Sequence, residues 1–226
     1  MATPHIASPD VHVDIERQQV QMYFHGLESL AIQVTRHAVS VDGVHFTARP
    51  DVLGGPYLRV FEHEGHTYGM SMPGQIVKIV FADDGHPTGV EPGPRVFPKT
   101  ARHHALWRRQ LPDGSAVLDV LRTRVGDTPE RILHSRVALT GDWTSWDVVA
   151  VGSDDSSPHG PNETEVLRPE RRWEGAEEPV EPSHRGAAHA RVNQLRDPAF
   201  FHEAGRTYAL YAGGGESAIG IAELVL

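Results

Sequence analysis

The chain has 226 residues, no cysteine and a formal net charge of −9, so it is long enough to bury a large core and carries no disulfide framework, thiol chemistry or cysteine-built zinc site. With 21 basic against 30 acidic residues and no basic run, the composition argues against a phosphate-tracking surface and nucleic acid is not an expected partner. No window approaches the ~18 apolar residues of a membrane span, and the N-terminal stretch alternates polar with apolar instead of forming a signal-peptide core. A cytoplasmic chain without a membrane partner is therefore expected.

Gly and Pro, at 22 and 17 residues, exceed their usual combined share of ~12%, which favours a turn-rich β protein. The first predicted strand is Ser8-Pro9-Asp10-Val11-His12-Val13-Asp14, with Asp10, His12 and Asp14 on a polar face and Val11 and Val13 on a packed one. Val20 to Gly26, Leu30 to Val34 and Val44 to Thr47 follow as further short strands, divided by Gly, Asp, Ser and charged residues as antiparallel neighbours require. No convincing helical period is present.

A unit of strand, polar turn and aromatic strand recurs. It reads Asp10 to Val13 then Val20 to Phe24; Tyr57 to Phe61, Glu64-Gly65, then Thr67 to Met70; His104 to Trp107, Asp113-Gly114, then Ala116 to Leu121; and Asp197 to Phe201, Ala204-Gly205, then Tyr208 to Tyr211. The starts at 10, 57, 104 and 197 are 47, 47 and 93 residues apart, the last gap close to two periods. A period in the forties with several strands per unit predicts an all-β fold, a β-propeller whose blades cover one another's edges. It predicts a single domain over 1–226, with blade-like repeats starting near 8, 55, 102 and 194 and a long loop at 161–193. A jelly-roll sandwich is the rival architecture, and the regular spacing favours the propeller.

Four candidate groups follow from side-chain chemistry. Glu174 follows Trp173, and packing on an indole disfavours an ionised carboxylate, as a general acid requires. Trp173 also offers a face for a sugar ring. Arg59, His103 and Arg196 open successive inner strands, where arginine forks suit polyhydroxylated or acidic ligands. His12 lies two residues from both Asp10 and Asp14, and His103-His104 begins another inner strand; a histidine-bound metal is a minor alternative, since no fixed-spacing ligand motif is present. The segment Asp142-Trp143 with Trp146 reads as an outer-strand packing motif.

Ser8-Pro9-Asp10-Val11, Arg196-Asp197-Pro198, Gly215-Glu216 and Gly220-Ile221-Ala222-Glu223, taken with the four units, resemble the five-bladed propeller glycoside hydrolases of families 43, 32 and 117. Arg102-His103, Gly126-Asp127, Asp142-Trp143, Trp173-Glu174-Gly175 and Leu195 to Pro198 look like a group of bacterial propeller proteins related to those enzymes. The resemblance implies a carbohydrate acted on or bound in an axial pocket, with no required cofactor and room for a structural divalent cation near the axis. It implies catalytic roles for Asp10, the tuner of the acid in family 43, for Asp197, the transition-state stabiliser of an Arg-Asp-Pro motif, and for His103 as a family-117-like acid, beside Glu174. His12, Arg59, His104, Arg196 and Trp173 would bind substrate.

Two departures weaken the catalytic side of this resemblance. Such relatives carry a further blade before the Ser-Pro-Asp strand, which supplies the general base, and only seven residues precede Ser8. The acid of their Glu-Gly-Pro turn is replaced by Gly54-Gly55-Pro56. The alternatives are a non-catalytic sugar-binding or scaffold propeller, or a truncated inactive homologue. An open ring of four units would also expose a strand edge or blade face, predicting a homodimer.

Overall fold

A computed structural model describes residues 5–151 and 162–225. Strands and two 3-10 turns make up its regular structure, with no α-helix among the described residues. Sheet 1 comprises β1 (Ile6–Asp14), β2 (Gln19–Ser29), β3 (Ile32–Ser40) and β4 (Thr47–Ala48); sheet 2 comprises β5 (Arg59–His63), β6 (His66–Ser71), β7 (Gln75–Phe81) and β8 (Pro87–Arg95). Sheet 3 joins β9 (Ala101–Gln110), β10 (Ala116–Arg124), β11 (Ile132–Ala138) and β12 (Val148–Val149), with β13 (Thr164–Leu167) also on β11. Sheet 4 holds β14 (Leu195–Glu203), β15 (Arg206–Gly213) and β16 (Ala218–Leu224).

All these strand pairings are antiparallel, so each sheet is a meander. Turn chemistry sets the registers. Glu64-Gly65, at φ +47° and +74°, and Ala204-Gly205, at φ +50° and +76°, place both central residues of a two-residue hairpin loop in the left-handed region, as a type I′ turn demands.

The contacts divide the chain into two compact units, Met1–Arg95 and Val96–Leu226. In the first, Tyr23, Leu53, Leu58, Val77 and Ile79 form the core, with Val60 and Val90 packed on it. In the second, Ala105, Leu121, Ile132, Leu195, Ala209, Tyr211 and Leu224 join sheets 3 and 4.

Three local expectations are corrected. On β1 the polar side chains are the half-buried ones, while Val11 and Val13 are 52% and 73% exposed. Each polar group has a partner that makes burial affordable: Asp10 accepts the Val60 N–H at 2.7 Å, His12 Nε2 meets Asp10 at 2.9 Å, and Asp14 accepts from the Arg17 N–H and the Gln21 amide, both at 2.9 Å. The stretch predicted as a loop over 161–193 contains β13 and a 3-10 turn at Arg172–Glu174; its first residue, 161, lies outside the described residues. Asp142-Trp143 to Trp146 is a 3-10 turn rather than a strand, with the Asp142 side chain accepting the Thr144 N–H at 2.8 Å and Trp146 buried.

Close packing also fixes one glycine. A Cβ on Gly220 of β16 would stand 2.5 Å from both the Trp173 and Tyr211 rings. Gly220→Ala should therefore destabilise the protein by about 1–3 kcal/mol, the usual cost of overpacking. Urea unfolding checks this, and an unchanged midpoint would mean that those rings yield freely.

Candidate functional site

The first strand of each sheet carries one non-glycine residue in the left-handed region, or, in sheet 2, is preceded by one two positions earlier: Ser8 (φ +51°), Tyr57 (+61°), His103 (+51°) and Asp197 (+46°). In three sheets the registers show two residues set against one. Ser8-Pro9 faces Phe24, His103-His104 faces Arg122, and Asp197-Pro198 faces Tyr211. In sheet 2 the pairing Arg59↔Met70 and the bond from the Met72 N–H to the Pro56 carbonyl leave Tyr57-Leu58 opposite Ser71. A bulge of this kind re-aims the side chains around it, and each left-handed residue costs of order 1–3 kcal/mol that its surroundings must offset.

In the second unit the surroundings are a buried ion cluster. Glu130, with no exposed surface, accepts from Arg102 Nε at 2.9 Å through one oxygen and from Arg102 Nη2 through the other, and Arg196 Nε lies 3.7 Å from that second oxygen. Arg196 also donates to the Gln194 side-chain oxygen at 2.6 and 3.0 Å, to the Gly186 carbonyl at 3.0 Å and to Glu216 at 3.0 Å. The backbone follows: the Glu130 carbonyl accepts the Leu195 N–H at 2.9 Å, and Glu130 bridges Gln194.

His103 is held between the carboxylates of Glu130, 3.9 Å from Nδ1, and Asp197, 3.8 Å from Nε2, with Thr123 Oγ1 3.3 Å from Nδ1. Burial first, then the Arg102 charge, push its imidazole down to about 3, against the opposing pull of Glu130. His103 is thus neutral at physiological pH and is not the imidazolium that a general acid would be. Asp197 is 37% exposed, whereas His104 is buried. The structure therefore brings together His103, Arg196 and Asp197 of the sequence-selected residues, and His104 sits within the same bulge.

In the first unit Asp10, His12 and Arg59 come together. Arg59 Nη1 donates to the Ser8 and Pro9 carbonyls at 2.9 and 3.1 Å, closing the bulge, while Asp10 binds the Val60 N–H and His12. The hydrogen bond to Asp10 raises the His12 imidazole. Behind them His37 is pushed down to about 4, first by burial and then by the Arg49 charge.

Glu174 and Trp173 form a third group. Glu174 is 4% exposed; one oxygen accepts the Tyr211 hydroxyl at 2.6 Å and the other accepts the Glu170 and Arg171 N–H groups at 2.8 Å. Trp173 stacks on Tyr211 with ring centroids 6.0 Å apart. Both side chains are thereby used in anchoring the 3-10 turn to sheet 4. Among the described residues no group of three His, Cys, Asp or Glu side chains is placed to hold a metal ion, and no helix is long and apolar enough to cross a membrane.

Beside Glu174 the sequence offers Glu130 and Glu216 only as weaker candidates for the acid, and it gives Asp119 no weight. The signal for Asp119 was present: in Val117-Leu118-Asp119-Val120-Leu121 a two-residue period puts a carboxylate between apolar neighbours on one face, which requires cationic partners.

Comparison with known proteins places the fold. No family model matches the chain. An uncharacterised protein of Acanthamoeba polyphaga mimivirus is 34% identical over 238 residues, covering 97% of this chain and 61% of that protein. The chain thus spans about three fifths of the length of the curated relative it matches, and that relative is viral, so the expected bacterial affiliation gains no support. Among solved structures, an α-L-arabinanase from Cellvibrio cellulosa, complexed with arabinohexaose, superposes with a TM-score of 0.59 at 10% identity over 98% of this chain and 74% of the enzyme. An exo-1,5-α-L-arabinanase from a bovine ruminal metagenomic library gives 0.59 at 12% identity, over 98% and 75%. A family 43 β-xylosidase/α-arabinofuranosidase from a compost metagenome, complexed with xylotriose, gives 0.53 at 14% identity, over 98% and 70%. The chain has the β-propeller fold of these five-bladed glycosidases, with four blade-like sheets among the described residues.

The two depressed histidines set a pH dependence. Below pH 6.5 the unfolded chain protonates both, while folded His103 and His37 stay neutral down to about 3 and 4, so stability falls as pH falls through that window. Each contributes up to about 1.4 kcal/mol per pH unit. Urea unfolding between pH 7 and 4.5 should show the decline, and His103→Gln should flatten it; a slope unchanged by that substitution would contradict the buried neutral imidazole.

Proposed function

We propose that this chain is a carbohydrate-binding propeller of the glycoside hydrolase type, and that Asp197, beside His103 and Arg196, takes the sugar hydroxyls. The observation that carries this reading is the recurrence of a strained, left-handed residue at or just before the first strand of all four sheets, a device that aims side chains at a ligand. The oligosaccharide complexes of the structural neighbours support the ligand class.

Binding is favoured over hydrolysis by the state of the carboxyl groups. Glycoside hydrolysis needs one protonated and one ionised carboxyl about 5–9.5 Å apart across the scissile bond. Glu130 and Glu174 are buried with both oxygens engaged by internal donors, and His103, held as the neutral imidazole, lacks the acidic imidazolium proton at neutral pH. One observation favours a hydrolytic second reading: Asp10 is only 20% exposed and is fixed by a backbone N–H and by His12, as the acid-tuning aspartate of the resemblance would be.

Saturation-transfer NMR with arabino- and xylo-oligosaccharides tests the proposal, with the same sugars assayed for cleavage. Saturable binding, weakened at least tenfold by Asp197→Asn and without turnover, is expected. Turnover abolished by Asp10→Asn would select the hydrolytic reading, and absence of binding to any oligosaccharide would defeat both.

A further inference from the structure

A second charged cluster lies on sheet 3, toward the end of β9 away from the bulge. Asp119, in the middle of β10 and with no exposed surface, accepts from His134 Nε2 at 2.7 Å, from Arg136 Nε at 2.9 Å and from Arg109 Nε. The register dictates this meeting, because Asp119 stands directly opposite Arg136 on one side and Trp107 on the other. Burial alone would raise the Asp119 carboxyl; the bonds from His134 and Arg109 and the nearby positive charges outweigh it and hold the group at about 2. Asp119 is therefore an anion, and one negative charge against two guanidiniums leaves one positive charge over.

Of the two guanidiniums, Arg136 is the one that borders a cleft. Asp119 is its one side-chain partner among the described residues, and Nε makes that contact, so Nη1 and Nη2 remain for another acceptor. Arg136 and His134 line a cleft of about 520 Å³. The cleft opens where the edge of β11 passes from β12, paired at Arg136↔Val149, to β13, paired at His134↔Thr164. Two carboxylates stand at its margin, and both are already matched: Glu165 with Arg168 at 2.7 Å and Arg131 at 3.3 Å, Glu223 with Arg206 at 2.7 Å. Val166 and Leu224 supply apolar wall.

We propose that this cleft binds a small ligand bearing a carboxylate, which forks onto Arg136 Nη1 and Nη2 while Asp119 fixes the guanidinium and the His134 ring from behind. A planar guanidinium with one edge pinned presents its remaining donors in the geometry that a carboxylate matches bidentately. The site is independent of the sugar site at Asp197: no residue is shared, and either can fail alone.

Isothermal titration with D-galacturonate, D-galactose and inorganic phosphate tests it, since the first two differ at the carboxylate. Galacturonate should bind saturably and at least tenfold tighter than galactose or phosphate. Arg136→Gln should weaken galacturonate tenfold or more. Arg136→Lys, which keeps a cation beside Asp119 and so preserves the fold, should also lose the preference because an ammonium cannot fork. Galacturonate binding no tighter than galactose, phosphate binding equally well, or galacturonate binding unaffected in both Arg136 variants would each overturn the assignment.

Discussion

One buried carboxylate, Glu130, holds the first strands of sheets 3 and 4 in place. Its side chain is shared by Arg102, next to the His103 bulge, and Arg196, next to the Asp197 bulge, while its carbonyl takes the Leu195 N–H. Two guanidiniums and a carboxylate removed from water are costly to assemble and far more costly to leave incomplete, so the pairing specifies the arrangement more than it adds net stability. Because the bulged residues adjoin both arginines, the cluster also fixes where His103 and Asp197 point. The first unit meets the same demand differently: Arg59 donates to the Ser8 and Pro9 carbonyls, and Asp10 receives the Val60 N–H.

This explains which parts could be read from the sequence. The repeat, the Glu64-Gly65 and Ala204-Gly205 turns and the blade-like strands are local, encoded in spacing and turn chemistry, and the structure carries them. The Val11/Val13 face was assigned inward because apolar residues usually are; the polar face won because Val60, His12, Arg17 and Gln21 satisfy it, partners up to 50 residues away. Glu130 was hard to rank for the same reason, since its bidentate partner is 28 residues distant and nothing local announces it. Glu174 looked like a raised acid beside an indole, but three donors supplied by Tyr211 and the Glu170-Arg171 backbone occupy its oxygens. The left-handed φ at His103 and Asp197 left no trace in the sequence, because neither residue is glycine.

Charge balance links the two proposed sites to one design. In each, a buried carboxylate is outnumbered by arginines: Glu130 by Arg102 and Arg196, Asp119 by Arg109 and Arg136. The surplus is spent differently. Arg196 has its donors taken by Gln194, Gly186 and Glu216 and serves as scaffold, whereas Arg136 lines a cleft and bonds Asp119 through Nε. A guanidinium with all its donors engaged positions its neighbours; one with donors to spare recruits a ligand.

The measurement closest to the central claim is the urea unfolding free energy of Glu130→Ala at neutral pH, set beside Glu130→Gln. If the carboxylate locks the bulged strands, alanine leaves the buried Arg102 without its counter-ion and Arg196 with Glu216 alone, and costs about 3–5 kcal/mol, with glutamine intermediate because it still accepts a hydrogen bond. A loss below about 1 kcal/mol for alanine would contradict the account and show that the bulges at His103 and Asp197 are fixed by packing alone.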